Sequence, residues 1–141
     1  MMWTDGSCLD NPGGAGGWAA ILREVGQLNV EQVGLGRLKA TTNQRAELIA
    51  VMKGLQRLEG EGHAVTIFTD SLYTLKVLTG EWEAKLNLDL IRKIKPCLSL
   101  QHVRFQHVRG HQGNLLNERV DRLAYFAATQ KIPDEWKEMK R

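Results

Sequence analysis

Ala64-Val65-Thr66-Ile67-Phe68-Thr69, followed at once by Asp70-Ser71, divides this chain into two halves of different character. The short apolar run lacks polar alternation and has the look of a strand covered on both faces, as strands with parallel neighbours are. What precedes it reads differently. Met2–Cys8 is a strand that ends in the turn sequence Leu9-Asp10-Asn11-Pro12-Gly13-Gly14, and Trp18–Val25 and Leu28–Leu38 are two more. Their short spacings suit an antiparallel meander. A helix begins near Asn43, with Thr41 and Gln44 as a candidate capping box. It carries Leu48, Val51, Met52, Leu55 and Leu58 at helical spacing and is ended by Gly60 and Gly62. After Thr69 come a short helix (Ser71–Leu78) and a second helical stretch (Leu88–Leu98), bent or ended near Pro96. A strand (His102–Arg109) follows, then a last helix marked by Leu116, Val120, Leu123 and Ala127. From Pro133 onward the tail is polar and shows no legible element. Hairpin strands followed by strands alternating with helices imply an α/β mixed sheet flanked by helices, and the pattern alone goes no further.

The 141 residues suit one domain, expected over residues 1–141 with a polar tail at about 133–141. Apolar runs such as Trp18–Leu22 are too short to span a bilayer, and the start, MMWTDGSC, lacks a charged-then-apolar leader. Cys8 and Cys97, far apart in sequence, suggest free thiols and a reducing cytoplasm rather than a disulfide framework. The net charge of +3 decides little, but its distribution says more. Arg92, Lys93, Lys95, Arg104, Arg109, Arg119 and Arg122 face only Glu118 and Asp121 in that segment, which also holds His102, His107 and His111. Such a stretch suits either a solvated face or a polyanion partner.

Five residues stand out as carriers of chemistry: Asp5, Glu47, Asp70, His111 and Asp121. Taken singly, each has an ordinary explanation. Asp5 reads as a turn residue, Asp70 as a helix cap, and Glu47 as a favourable charge near a helix start. Asp121 reads as a partner of Arg122 or Lys131, and His111 as a solvent-facing loop histidine. Taken together, the acids come from two strands and two helices. If they converge, they repel: two carboxylates at ~5 Å cost ~3 kcal/mol at an effective dielectric of about 20. Divalent cations would relieve that cost.

The phrases around these residues are TDGSCLDNPG at Asp5, TTNQRAEL at Glu47, TDSLY at Asp70 and GHQGNLLNERVD from Gly110 to Asp121. In this order the chain resembles ribonuclease H of the single-domain bacterial type, from about Met2 to Ala128. The resemblance implies a five-stranded mixed sheet, three antiparallel strands and then parallel ones, flanked by helices. It implies a metal-dependent endonuclease that hydrolyses the RNA strand of RNA–DNA hybrids by a two-metal-ion mechanism, leaving 5′-phosphate and 3′-hydroxyl ends. Asp5, Glu47, Asp70 and Asp121 would hold two Mg²⁺ ions, with Mn²⁺ able to substitute, and His111 would assist proton movement or product release. The runner-up is a non-catalytic hybrid-binding module of the same fold, against which the full set of acids and the histidine counts.

By the same resemblance, Ser7, Cys8, Asn11, Asn43, Gln44, Arg109 and Asn117 are the candidate contacts to the hybrid. Short polar groups suit 2′-hydroxyls across a wide minor groove, and Arg109 suits a phosphate. Arg45 either contacts substrate or holds its helix start in place. The chain departs from the family's pattern in three places. Leu72 stands where the family often has Gln. Only Glu81-Trp82-Glu83-Ala84-Lys85 lies where longer members carry a basic protrusion. Arg109 stands where Lys is common. Arg92–Lys95 or the tail residues Lys137, Lys140 and Arg141 are candidates to compensate for the missing protrusion. The short start leaves no room for a separate hybrid-binding domain, and a monomer in the cytoplasm is the expectation.

Overall fold

In the computed structural model the structure describes residues 1–27, 30–109 and 114–140. The chain builds β1 (Met2–Cys8), β2 (Gly16–Arg23), β3 (Val30–Leu38), α1 (Asn43–Arg57), β4 (Ala64–Thr69) and α2 (Leu72–Leu78). It continues with α3 (Leu88–Leu100), β5 (His102–His107), α4 (Leu115–Thr129) and β6 (Glu135–Lys140). The strands form one sheet in the order β5-β4-β1-β2-β3-β6. β1, β2, β3 and β6 are antiparallel neighbours, whereas β4 lies between β1 and β5 and is parallel to both. The apolar run at 64–69 therefore has the parallel surroundings its composition suggests.

Two layers of helix cover the sheet. Met2, Val65 and Ile67 pack with Leu48, Val51 and Leu55 of α1 and Leu90, Ile91 and Ile94 of α3. On the opposite face Trp3, Ala19, Ile21, Val33 and Leu35 pack with Val120, Ala124 and Ala127 of α4. The two-residue period of β1 divides Met2 from Trp3 in this way, and it sends Asp5 to the same side as Trp3.

Several boundaries differ from the sequence expectation, each for a physical reason. The sheet has six strands rather than five. The tail forms β6 against β3, and Trp136 covers Gly34, whose missing side chain leaves room for the indole ring. Arg57 also lies over that indole, 5.2 Å from its centroid. Asp134 accepts a hydrogen bond from Trp18 Nε1 (2.9 Å) and pairs with Lys53 (2.7 Å), which fixes the approach to β6. β2 begins at Gly16 and stops at Arg23, ahead of a turn in which Gly26 has φ 92°. The start expected for the third strand, Leu28, lies outside the described residues. α3 runs through Pro96 to Leu100, because Ile94, Cys97 and Leu98 pack into the core on both sides of the proline. β5 ends at His107, before Arg109.

Candidate metal and catalytic site

The site lies where the sheet changes sense. β1 leads to β2 on one side and β4 leads to β5 on the other, so a crevice opens beyond the carboxyl ends of β1 and β4. Register between them runs Met2–Ile67 and Trp3–Phe68 and then stops. Asp5 and Asp70 each follow two residues later, at the mouth of that opening.

Asp5 is only 2% exposed, and its Oδ1 accepts the Gly6 N–H at 2.9 Å. Gly6 has a second consequence. A Cβ there would collide with the α1 backbone at Ala46 and Glu47, so the missing side chain lets the helix press against β1. Thr42 caps α1 by accepting the Arg45 N–H (3.1 Å), one residue after the expected Thr41. Glu47 is thereby brought, nine-tenths buried, beside Asp5. Asp70 is not a helix cap. Ser71 caps α2 instead, its Oγ accepting the Thr74 N–H at 3.1 Å, and this leaves the Asp70 carboxylate free to face the crevice.

Asp5, Glu47 and Asp70 each offer an oxygen within 4.8 Å of the others. Asp121, exposed on α4, stands outside that tight trio, yet its charge reaches both Asp5 and Asp70. Burial is the main cause that pushes the Asp5 carboxyl up to about 7, opposed by a hydrogen bond with Glu47 and reinforced by Asp70 and Asp121. Burial, then the charge of Asp5, raises Glu47 well above the usual carboxylate range. Burial, then Asp121, raises Asp70. Asp5 Oδ2, Glu47 Oε2 and Asn117 Oδ1 are buried and have no hydrogen-bond partner among the described residues. Buried acceptors without donors are rare and costly, and acceptor-only oxygens in this number suit a hard divalent cation.

The other expected residues are distributed around this cluster. Ser7 and Cys8 sit at the end of β1, half-buried, with the Cys8 thiol directed at the Thr41 carbonyl (3.5 Å). Asn11, Asn43 and Gln44 are exposed, and Asn11 Oδ1 accepts the Asn43 N–H (3.2 Å), which ties the first turn to the start of α1. Arg109 is exposed just past β5. Asn117 is 3% exposed, one turn before Asp121. His111 lies outside the described residues. Arg45 makes a two-pronged pair with Asp89 (2.9 and 2.8 Å) and so fastens α1 to α3, the second of the two roles expected for it. Trp82 and Leu72 are exposed. Gly17 admits α4, since a Cβ there would meet the backbone of Ala124 and Ala128. Sequence reading missed His107, whose Nε2 lies 3.3 Å from the Asp70 carbonyl oxygen. Only the pairing of Thr69 with His107 across β4 and β5 reveals it.

A cluster of acids at a sheet's parallel-to-antiparallel switch fits the class of hydrolases that work with divalent metal. The family model for RNase H matches residues 1–129. Ribonuclease H of Nitratidesulfovibrio vulgaris (strain Miyazaki F) is 40% identical over 143 residues, covering 92% of this chain and 88% of that protein. Ribonuclease H of Syntrophomonas wolfei is 36% identical over 138 residues, covering 88% and 92%. Among solved structures, a type 1 RNase H called LC9-RNase H1 superposes with a TM-score of 0.79 at 24% identity, covering 99% of this chain and 76% of that one. The N-terminal RNase H domain of a Mycobacterium tuberculosis protein gives a TM-score of 0.80 at 21% identity, covering 92% and 93%. The chain belongs to the ribonuclease H family, whose members hydrolyse the RNA strand of RNA–DNA hybrids, and it is a ribonuclease H. Among the described residues no helix is long and apolar enough to cross a membrane.

Proposed function

We propose that Asp5, Glu47, Asp70 and Asp121 hold two Mg²⁺ ions and that the protein cleaves the RNA strand internally, leaving 5′-phosphate and 3′-hydroxyl ends. The observation that carries this reading is the convergence of three carboxylates within 4.8 Å, two of them with a buried oxygen that has no partner among the described residues. Bound divalent ions supply an activated water and charge stabilisation at the leaving oxygen. Asp5, buried on β1 beside Glu47 and Asp70, would be a ligand to the metal. Glu47 and Asp70 flank it, and Asp121 serves the outer, exposed side. His111 supports proton movement or product release, a role that an imidazole titrating near neutrality can fill.

The chain's own contribution to the hybrid is made at the rim. Asn11, Asn43 and Gln44 form one polar edge, joined by the Asn11–Asn43 bond. They suit 2′-hydroxyls, with Ser7 and Cys8 between them and the acids. Arg109 meets a phosphate across the crevice. Arg92, Lys93 and Lys95, all exposed on α3, supply positive charge in place of a basic protrusion. The protein acts as a monomer, and its two free thiols suit a reducing cytoplasm.

The test is digestion of matched RNA–DNA, RNA–RNA and DNA–DNA duplexes with Mg²⁺ or with chelator. Cleavage of the RNA strand of the hybrid alone, only with metal, is expected. Metal-independent cleavage, or equal cleavage of all three duplexes, would overturn the reading.

A further inference from the structure

We propose that His107 is a positioning residue for Asp70: its imidazole N–H, donated to the Asp70 carbonyl, holds that residue so that its carboxylate faces Asp5 and Glu47. This rests on the metal-binding reading of Asp70 given above. The geometry is local and specific. β4 ends at Thr69, so Asp70 has left the sheet and has no ladder of its own to fix it. β5 runs alongside, parallel and in register, with Thr69 opposite His107. The end of β5 supplies two contacts to the end of β4. The Val108 N–H donates to the Thr69 carbonyl at 2.9 Å, and His107 Nε2 lies 3.3 Å from the Asp70 carbonyl. An acceptor carbonyl requires the Nε2–H form of the ring.

A third contact completes the clamp. Thr69 is fully buried, and its Oγ1 accepts the Ser71 N–H at 3.0 Å. Thr69 therefore holds the N–H end of the 70–71 peptide, and His107 holds its carbonyl end. Without the His107 bond that peptide keeps one anchor instead of two, and the Asp70 carboxylate gains freedom to move with its carbonyl end. Partners that orient a metal ligand contribute about tenfold to a hundredfold in metal affinity where they have been removed.

The test compares the whole protein with His107→Ala, His107→Gln and Asp70→Asn, with Mn²⁺ titrated into each by calorimetry and hybrid cleavage followed against both metal and hybrid concentration. The Gln side chain places an N–H donor near the position of Nε2. His107→Ala is expected to bind Mn²⁺ about tenfold more weakly and to need correspondingly more metal for half-maximal cleavage, at unchanged hybrid KM. His107→Gln is expected to recover most of the affinity. Normal Mn²⁺ affinity in His107→Ala would overturn the proposal while leaving the metal site intact. Equal loss in Ala and Gln variants would also overturn it, because the loss would then follow the ring and not its donor. Unchanged Mn²⁺ binding in Asp70→Asn would overturn the metal-site reading itself, and this proposal with it.

Discussion

Replacing Asp5 by Asn should make the metal-free protein more stable while abolishing hydrolysis. Asp5 is 2% exposed in the middle of β1, and its carboxyl is pushed from an ordinary 3.8 to about 7, chiefly by burial. A carboxyl with a raised folded pKa keeps its proton longer in the folded chain than in the unfolded one. Stability therefore falls as pH rises across the window from 3.8 to about 7, and the loss is complete above it. At ~1.4 kcal/mol per pH unit the whole window corresponds to at most ~4 kcal/mol. Asn keeps the acceptor for the Gly6 N–H but adds an amide that needs its own partner, and an unmet donor costs ~1–3 kcal/mol. A net gain of ~2 kcal/mol at pH 8 is the expectation. Urea unfolding in chelator at pH 8 and pH 5 measures it. The variant should exceed the wild type at pH 8, and the gap should shrink toward pH 5. Added Mg²⁺ should stabilise the wild type and close the gap from the other side, since a ligand that binds only the folded chain adds its binding free energy. A variant no more stable than the wild type at pH 8 in chelator would refute the claim that Asp5 is held under electrostatic strain.

Gly6→Ala should cost ~2–3 kcal/mol and slow hybrid cleavage, because the new methyl group must displace the α1 backbone at Ala46 and Glu47; thermal melting and cleavage rates read both effects. Trp136→Ala should cost ~2 kcal/mol in melting assays by uncovering Gly34 and freeing Arg57, yet leave the cleavage rate at room temperature unchanged, since β6 lies at the far edge of the sheet from β4. Glu31 is 3% exposed between Arg23 (3.0 Å) and Arg119, and although burial opposes it these two hold its carboxyl below the ordinary value. Glu31→Gln should cost ~2 kcal/mol at neutral pH. A depressed carboxyl gives stability that is present above its ordinary pKa and lost as pH falls through the folded one, so the difference should vanish in acid unfolding.

The arrangement of elements was legible where period and turn chemistry agree. The run at 64–69 announced a strand with parallel neighbours, and the α1 stripe from Leu48 to Leu55 announced its buried face. The acids were legible through the motifs around them, but their environments were not. Asp70 looked like a helix cap because Asp and Ser are both good caps, and only the structure shows Ser71 taking that role. Glu135–Lys140 looked like a polar tail because an edge strand needs only one covered side chain, here Trp136, and gains protection from charge on the rest. Pro96 left open whether the helix is bent or ended there, because local propensity does not see the core beneath α3, which carries the helix on to Leu100. His107 carried no local signal at all. Its nearness to Asp70 is a matter of register between strands more than thirty residues apart in sequence.

The two glycines explain why the acids cannot relax away from one another. Gly6 points to the α1 side of the sheet and Gly17, opposite Ser7 in the β1–β2 register, to the α4 side. Each lets a helix backbone approach where a Cβ would have kept it off. Glu47 and Asp121 are therefore delivered toward Asp5 from opposite faces by rigid helices, and Asp70 arrives at the end of a strand held by β5. Side chains on mobile loops would dissipate their repulsion by moving apart, at little cost to the fold. Here separation would require shifting a helix that is packed against the core. The strain stays in the folded state until cations or protons neutralise it. Metal affinity, the raised Asp5 pKa and the stability deficit at high pH thus share one origin, a carboxylate held buried beside other acids. A substitution that loosens α1 or α4, such as Gly6→Ala, should lower all three together, whereas Asp5→Asn should remove the deficit and the affinity at once.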